Sequence, residues 1–171
     1  SNYLNERNRK MAVAEDFTIE EKEEQERMVL ESVDRFLERD VEPFAHDLEA
    51  DDTYPQEIVD KMVDMGLFGA TIGMEYGGLG LSVSTYAKIV ERVSTVWMSV
   101  SGIFNSHLIM AAAVERSGTE EQKAKWLPKF ASGELRGGIA LTEPDAGTDL
   151  QGIRTRADKS GNGYSLNGAK T

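Results

Sequence analysis

The sequence predicts a mainly α fold whose C-terminal end turns to short β-strands. Two observations predict it. Before residue 136 apolar side chains recur at three- and four-residue steps between helix caps. After Arg136 the pattern becomes short apolar runs separated by glycine-rich turns. The expected organisation is an N-terminal arm over 1–16, a helical domain over 17–135 and the beginning of a β domain over 136–171.

Thr18-Ile19-Glu20-Glu21 has the capping-box pattern, in which the threonine hydroxyl satisfies one free N–H and the glutamate reaches back to another. The helix begun there carries Met28, Val29, Val33, Phe36, Leu37 and Val41 as its apolar stripe and is expected to end at Pro43. Its opposite face, from Glu20 to Arg27, is a solvated charged surface. A second helix fits Pro55 to Met65, with proline in the first turn, Gly66 after its end and Ile58, Val59, Met62 and Val63 inward. Ser82 caps a third, with Tyr86, Ile89, Val90, Val93 and Trp97 inward. A fourth, Met98 to Arg116, is apolar on every side from Val100 to Val114 and is expected to be buried. Gly118 stops it, Thr119 with Gln122 forms another capping box, and a short helix bearing Trp126, Leu127 and Phe130 ends at Gly133.

The turn Gly77-Gly78-Leu79-Gly80 invites a dinucleotide-loop reading. Val83 stands where the third glycine would fall and no β-branched strand precedes it, so a structural turn is preferred. Asn105, Ser106 and His107 are polar within an apolar helix. They are either pocket residues or core groups hydrogen-bonded internally, and His107 has no metal-ligand spacing with His46. The seven methionines sit at helical spacing and are read as packing. No repeat or heptad series is present.

The predicted strands are Gly137 to Leu141, Gly152 to Ala157 and Tyr164 to Asn167, the last two joined by a turn from Asp158 to Gly163. The first leads into Thr142-Glu143-Pro144-Asp145-Ala146-Gly147-Thr148-Asp149. Glu143 precedes a proline and is biased to extended backbone, and Gly147 permits close approach of the main chain to a ligand. The hydroxyls of Thr142 and Thr148 could face one bound group. The same residues also build ordinary surface turns, so local chemistry leaves ligand grip and turn both open.

Bulk properties exclude more than they identify. The net charge of -11, from 19 Lys and Arg against 30 Asp and Glu, repels polyanions and argues against nucleic acid. With 40% hydrophobic and 29% charged residues the composition is that of a soluble globular protein, with no apolar run near the roughly 20 residues of a membrane span. The absence of cysteine excludes disulfides, thiolate zinc sites and thiol nucleophiles. Redox chemistry would require a bound cofactor. Nothing near Ser1 reads as an export signal, which makes an interior compartment the expectation: cytoplasm, or the mitochondrial matrix in a eukaryote.

Several segments together resemble the acyl-CoA dehydrogenase family. Thr142 to Asp149 is similar to its Thr-Glu-Pro-x-Ala-Gly-Ser-Asp signature, Glu75-Tyr76-Gly77-Gly78-Leu79-Gly80 to its glycine turn, and Gly118 to Lys123 to its Gly-Thr-Glu-Glu-Gln-Lys segment. Leu166-Asn167-Gly168-Ala169-Lys170-Thr171 matches the beginning of another, and all stand in family order from Phe17 onward. The resemblance implies an N-terminal orthogonal helical bundle followed by the first strands of a β-barrel-like middle domain. It also implies that the chain is part of a longer protein whose C-terminal bundle, with the catalytic glutamate, lies outside these residues.

By resemblance the activity is flavin-dependent α,β-dehydrogenation of an acyl-CoA: a base takes the α proton and the β hydride passes to FAD. Ile139, Ala140, Leu141, Thr142, Gly147 and Thr148 would bind FAD, with Thr142 at the pyrimidine edge and Thr148 at the pyrophosphate or the substrate's thioester-pantetheine portion. Hydrogen bonds at that edge stabilise reduced flavin. Thr148 replaces the usual serine, and Ile139 stands where some members carry an aromatic residue. Glu143 is read as a loop-stabilising carboxylate, and no catalytic or metal-binding residue is assigned. The implied partners are an acyl-CoA, an electron-transfer flavoprotein as acceptor and further copies in a homodimer or homotetramer. A flavin monooxygenase or oxidase of the same fold and a nonenzymatic helical module are the competing readings.

Overall fold

The computed structural model describes residues 18–171, so the predicted arm over 1–16 lies outside the described residues. The fold is mainly α, and a two-stranded antiparallel sheet follows the helices. Helix α1 spans Ile19–Phe36 and continues as a π-helical turn, Leu37–Val41, into α2, Glu42–Ala50. Then come α3, Gln56–Asp64, and single 3₁₀ turns at Leu67–Gly69 and Met74–Tyr76. Helix α4 is Val83–Ser117 and α5 is Glu120–Ala131. Strands β1, Arg156–Ser160, and β2, Gly163–Asn167, pair in the register Lys159 with Tyr164.

Both capping boxes form: Glu21 N donates to Thr18 Oγ1 at 3.2 Å, and Gln122 N to Thr119 Oγ1 at 3.2 Å. Ser82 caps α4 by accepting from Thr85 N at 3.1 Å. The expected end at Pro43 is corrected, because the helical path continues and Pro43 occupies the first turn of α2. The π-helical turn immediately before Pro43 is where the hydrogen-bond ladder changes register, and the proline follows it without breaking the path. The two helices expected on either side of Trp97 are both present, because the span labelled α4 is interrupted at that residue, whose φ of -153° and ψ of 101° leave the helical region.

The described residues divide into two compact units, 18–61 with 81–101 and 62–80 with 102–171. In the first, the core includes Leu30, Val33, Phe36, Leu37, Val41, Ile89 and Val93. Met28, expected in that stripe, is 58% exposed, since two residues of helix carry it far round from Leu30. Glu26 ties α1 to α4 by accepting from Thr85 Oγ1 at 2.8 Å and pairing with Lys88, and Arg92 meets Asp34 at 3.0 Å. Glu49 accepts from the Trp97 indole at the break. Asp40, buried in the π turn, takes Arg39 at 2.7 Å and Lys61 at 2.8 Å, and these cations hold its carboxyl down to about 2.

The second unit packs Leu67, Phe68, Ile72, Phe104, His107, Leu108, Leu127 and Phe130. The glycine turn is structural here: a Cβ on Gly78 would stand 2.1 Å from the Ile72 carbonyl oxygen. Leu79 N donates to Gly69 O and Gly80 N to Ile72 O, each at 2.9 Å, closing the turn on itself. The expectation that the 100–114 stretch is buried all round is corrected. Val100, Phe104, Leu108 and Ala111 are buried, whereas Ile109 is 52% exposed, because only one side of α4 has packing partners there. By length and composition alone α4 could cross a membrane, and its Val100, Phe104, Leu108 and Ala111 are buried within the fold. Among the methionines, Met62 is fully buried while Met28, Met74 and Met98 are exposed, so packing describes only some of them.

The predicted strand Gly137 to Leu141 forms no ladder, because no strand among the described residues pairs with it. The strand expected over Gly152 to Ala157 begins only at Arg156, since a 3₁₀ turn at Leu150–Gly152 occupies its start. The predicted turn narrows to Gly161 and Asn162.

Candidate functional site

The segment Gly137 to Asp149 is built around one buried carboxylate. Glu143 is 7% exposed and exchanges two main-chain hydrogen bonds with Ala146, N to O at 2.8 Å and O to N at 3.1 Å. This closes Glu143-Pro144-Asp145-Ala146 into a tight turn, with Pro144 supplying the fixed φ at its second position. The Glu143 carboxylate accepts from Arg154 N at 2.8 Å, Thr155 N at 2.9 Å and Lys170 Nζ at 3.0 Å. The Thr155 hydroxyl is buried beside it. The Thr155 side chain, the two main-chain N–H groups and the Lys170 ammonium hold the Glu143 carboxyl down to about 2. Such a group is ionised at neutral pH and has no proton to give. The structure therefore supports the reading of Glu143 as a loop-stabilising carboxylate.

Lys170 also donates to Leu141 O at 3.0 Å, and Thr171 N to Thr142 O at 3.1 Å. The end of the chain thus lies along the end of the 137–142 segment and fixes two of its carbonyls. At the other end, Gly137 N donates to His107 Nδ1 at 3.4 Å. Between these anchors Ile139, Ala140, Leu141 and Thr142 are exposed, and none of their main-chain N–H groups has a partner among the described residues. Ile139 is 42% and Leu141 48% exposed, high for apolar residues in an ordered segment.

Beyond the turn, Gly147 and Thr148 are exposed, and a Cβ added at Gly147 would meet nothing within 4 Å. Glycine is thus not required there by the chain's own packing. The six residues expected at a flavin, Ile139 to Thr142 with Gly147 and Thr148, lie on either side of the Glu143 anchor. Their exposed edge of free main-chain donors fits a planar heterocycle bearing carbonyl oxygens, and the open side of Gly147 fits a group pressed against the backbone.

Sequence reasoning missed the anchors. Thr155 and Lys170 carried no motif of their own as partners of Glu143, since the pairing spans twelve and twenty-seven residues. Asn105 is half-buried and Ser106 exposed, whereas His107 is a core group hydrogen-bonded internally. Among the described residues no cluster of acidic groups and histidines could hold a metal.

Comparison with known proteins gives this arrangement its relatives. Residues 23–134 match the family described as acyl-CoA dehydrogenase, N-terminal domain. The chain is 39% identical over 150 residues to the (2S)-methylsuccinyl-CoA dehydrogenase of Cereibacter sphaeroides, covering 87% of this chain and 27% of that protein. A chain solved in a study of the electron transferring flavoprotein of Acidaminococcus fermentans superposes with a TM-score of 0.80 at 33% identity, covering 91% of this chain and 40% of that one. The acyl-CoA dehydrogenase of Bacillus anthracis, solved complexed with FAD, superposes with a TM-score of 0.75 at 31% identity over 92% of this chain and 27% of its own. The chain thus spans less than half the length of each of these proteins. It belongs to the acyl-CoA dehydrogenase family.

Proposed function

We propose that this chain contributes the flavin-facing N-terminal part of an FAD-dependent acyl-CoA dehydrogenase. The observation that carries the proposal is the exposed row of main-chain N–H groups from Ile139 to Thr142, which have no partner among the described residues, beside the buried Glu143 turn. Bound FAD supplies the electron sink that side chains lack. The chain's own residues bind and orient. Main-chain donors and the Thr142 hydroxyl meet the pyrimidine edge, Gly147 lets the backbone approach, and Thr148 meets the pyrophosphate or the thioester-pantetheine portion of an acyl-CoA. Donors aimed at that edge favour the charge that develops there on reduction.

The proton-abstracting base is proposed to come from outside these residues, because Glu143, the one carboxylate buried at the segment, is already committed as an acceptor. The reading extends to an electron-transfer flavoprotein as acceptor, to a homodimeric or homotetrameric assembly and to an interior compartment. The neighbour from the electron transferring flavoprotein study supports the first of these.

The test is uptake and reduction of flavin. The protein as expressed in its host, titrated with FAD, should acquire bound-flavin absorption that bleaches when a saturated acyl-CoA is added anaerobically. A preparation indifferent to FAD would sink the proposal. Flavin uptake without bleaching by acyl-CoAs, together with oxygen-dependent turnover, would instead favour a flavin oxidase or monooxygenase.

A further inference from the structure

We infer that His107 is a positioning residue for the flavin-facing segment, its two ring nitrogens joining the end of α5 to the first residue of that segment. The inference rests on the flavin reading above and adds a residue to it. His107 is 1% exposed, in the second half of α4. Nε2 lies 3.1 Å from the Phe130 carbonyl oxygen, and Nδ1 accepts from Gly137 N at 3.4 Å. A carbonyl only accepts and a backbone N–H only donates, so the ring carries its proton on Nε2 and leaves Nδ1 bare. An imidazolium would turn an N–H against the Gly137 N–H. Burial pushes the His107 pKa down and so favours the neutral ring.

The ring is closely flanked, and the Phe68 main chain is a further polar neighbour beside Phe130 O. Phe68 meets it edge-on at 5.2 Å and Phe130 at 5.7 Å between centroids. Met110, one turn further along α4, closes the other side of the contact: a Cβ on Gly137 would come within 2.8 Å of its Cε. His107 and Met110 lie on one face of α4 and together fix where Gly137 sits. Ile139, the first residue expected at the flavin, follows two positions later. A displacement at Gly137 is therefore passed along two residues of chain to the edge proposed to meet the cofactor.

Two substitutions separate positioning from packing. His107→Phe keeps an aromatic ring but takes away the acceptor of Gly137 N–H, whereas Phe130 O keeps Gly133 N at 3.1 Å. His107→Asn places an amide oxygen near the place of Nδ1 and restores an acceptor for Gly137. In the protein as expressed, the Gly137 amide should exchange with solvent about tenfold faster in His107→Phe, on the order of one lost hydrogen bond to a buried group, and near the wild-type rate in His107→Asn. FAD affinity should follow the same order, with the bound-flavin spectrum altered in the phenylalanine variant and recovered in the asparagine variant. Unchanged Gly137 exchange in His107→Phe, or equal loss of FAD affinity in both variants, would overturn the inference. A wild-type protein that takes up no FAD removes the parent reading instead, while Gly137 exchange still reports whether His107 fixes the segment.

Discussion

In the helical part, Val33, Val59, Phe68 and Phe104 are at most 1% exposed, and their places follow from apolar side chains meeting one another. In residues 137–171 only Glu143 and Ala146 are buried, both strands are exposed along their whole length, and shape follows from hydrogen bonds converging on a carboxylate. One region is ordered by area removed from water, which is non-directional and indifferent to pH. The other is ordered by a few directional contacts to a charge, each dependent on ionisation and geometry. A binding edge needs the second arrangement, because a segment covered by apolar packing would have no free face for a ligand.

The comparison breaks most visibly in the helical core. Phe104→Ala should cost about 3–5 kcal/mol in urea denaturation, the usual range for truncating a buried aromatic. A cost below about 1 kcal/mol would place the stabilising core elsewhere. Glu143→Ala should do the reverse: FAD affinity falls by on the order of 100-fold as two main-chain donors lose their acceptor, while the urea midpoint of the helices barely moves. Equal damage to both readouts would merge the two regions into one cooperative unit.

Acid offers the same contrast without mutation. The folded Glu143 carboxyl is depressed to about 2 from an ordinary 4.5, so its contribution is fully present above pH 4.5 and is lost as pH falls toward 2. Asp40 behaves alike, depressed from 3.8 to about 2 by Arg39 and then Lys61. Amides of Arg154 and Thr155 should therefore lose exchange protection over that window in the wild type. In Glu143→Gln they should show little further pH dependence there, and an unchanged profile would remove the carboxylate from its anchoring role.

Smaller effects sharpen the boundary. Thr119→Ala removes the cap of α5 and should cost about 1 kcal/mol in thermal or urea unfolding. Gly147→Ala should leave stability within about 0.5 kcal/mol, since its new methyl meets nothing in the chain, and weaken FAD severalfold by standing in the cofactor's way. If the alanine at 147 left FAD titrations unchanged, that side of the turn would not face the cofactor.

The helices were legible because their signals are local. Thr18 with Glu21, Thr119 with Gln122, and Ser82 are read from residues three apart, and the break at Trp97 falls where two apolar patterns change phase. Pro43 misled because proline ends a helix or begins one equally well, and only the π turn before it decides. The motif at 142–149 was visible as a string, and Glu143 could be assigned a structural part. Its partners could not: Arg154 and Thr155 contribute main-chain N–H groups, which every residue but proline has, and Lys170 comes from far along the chain. The strand misread at Gly137 to Leu141 has the same origin, since an apolar run says nothing of whether a neighbour exists to pair with it.

Because Glu143 grips the amides of Arg154 and Thr155, and Lys170 and Thr171 grip the carbonyls of Leu141 and Thr142, the scaffold seldom consults the side chains at its own rim. Selection is free to exchange Ile139, Leu141 or Arg154 in search of new chemistry while the frame beneath stays put. A lineage that diversifies its substrates by changing rim residues one at a time would begin from a frame of this kind.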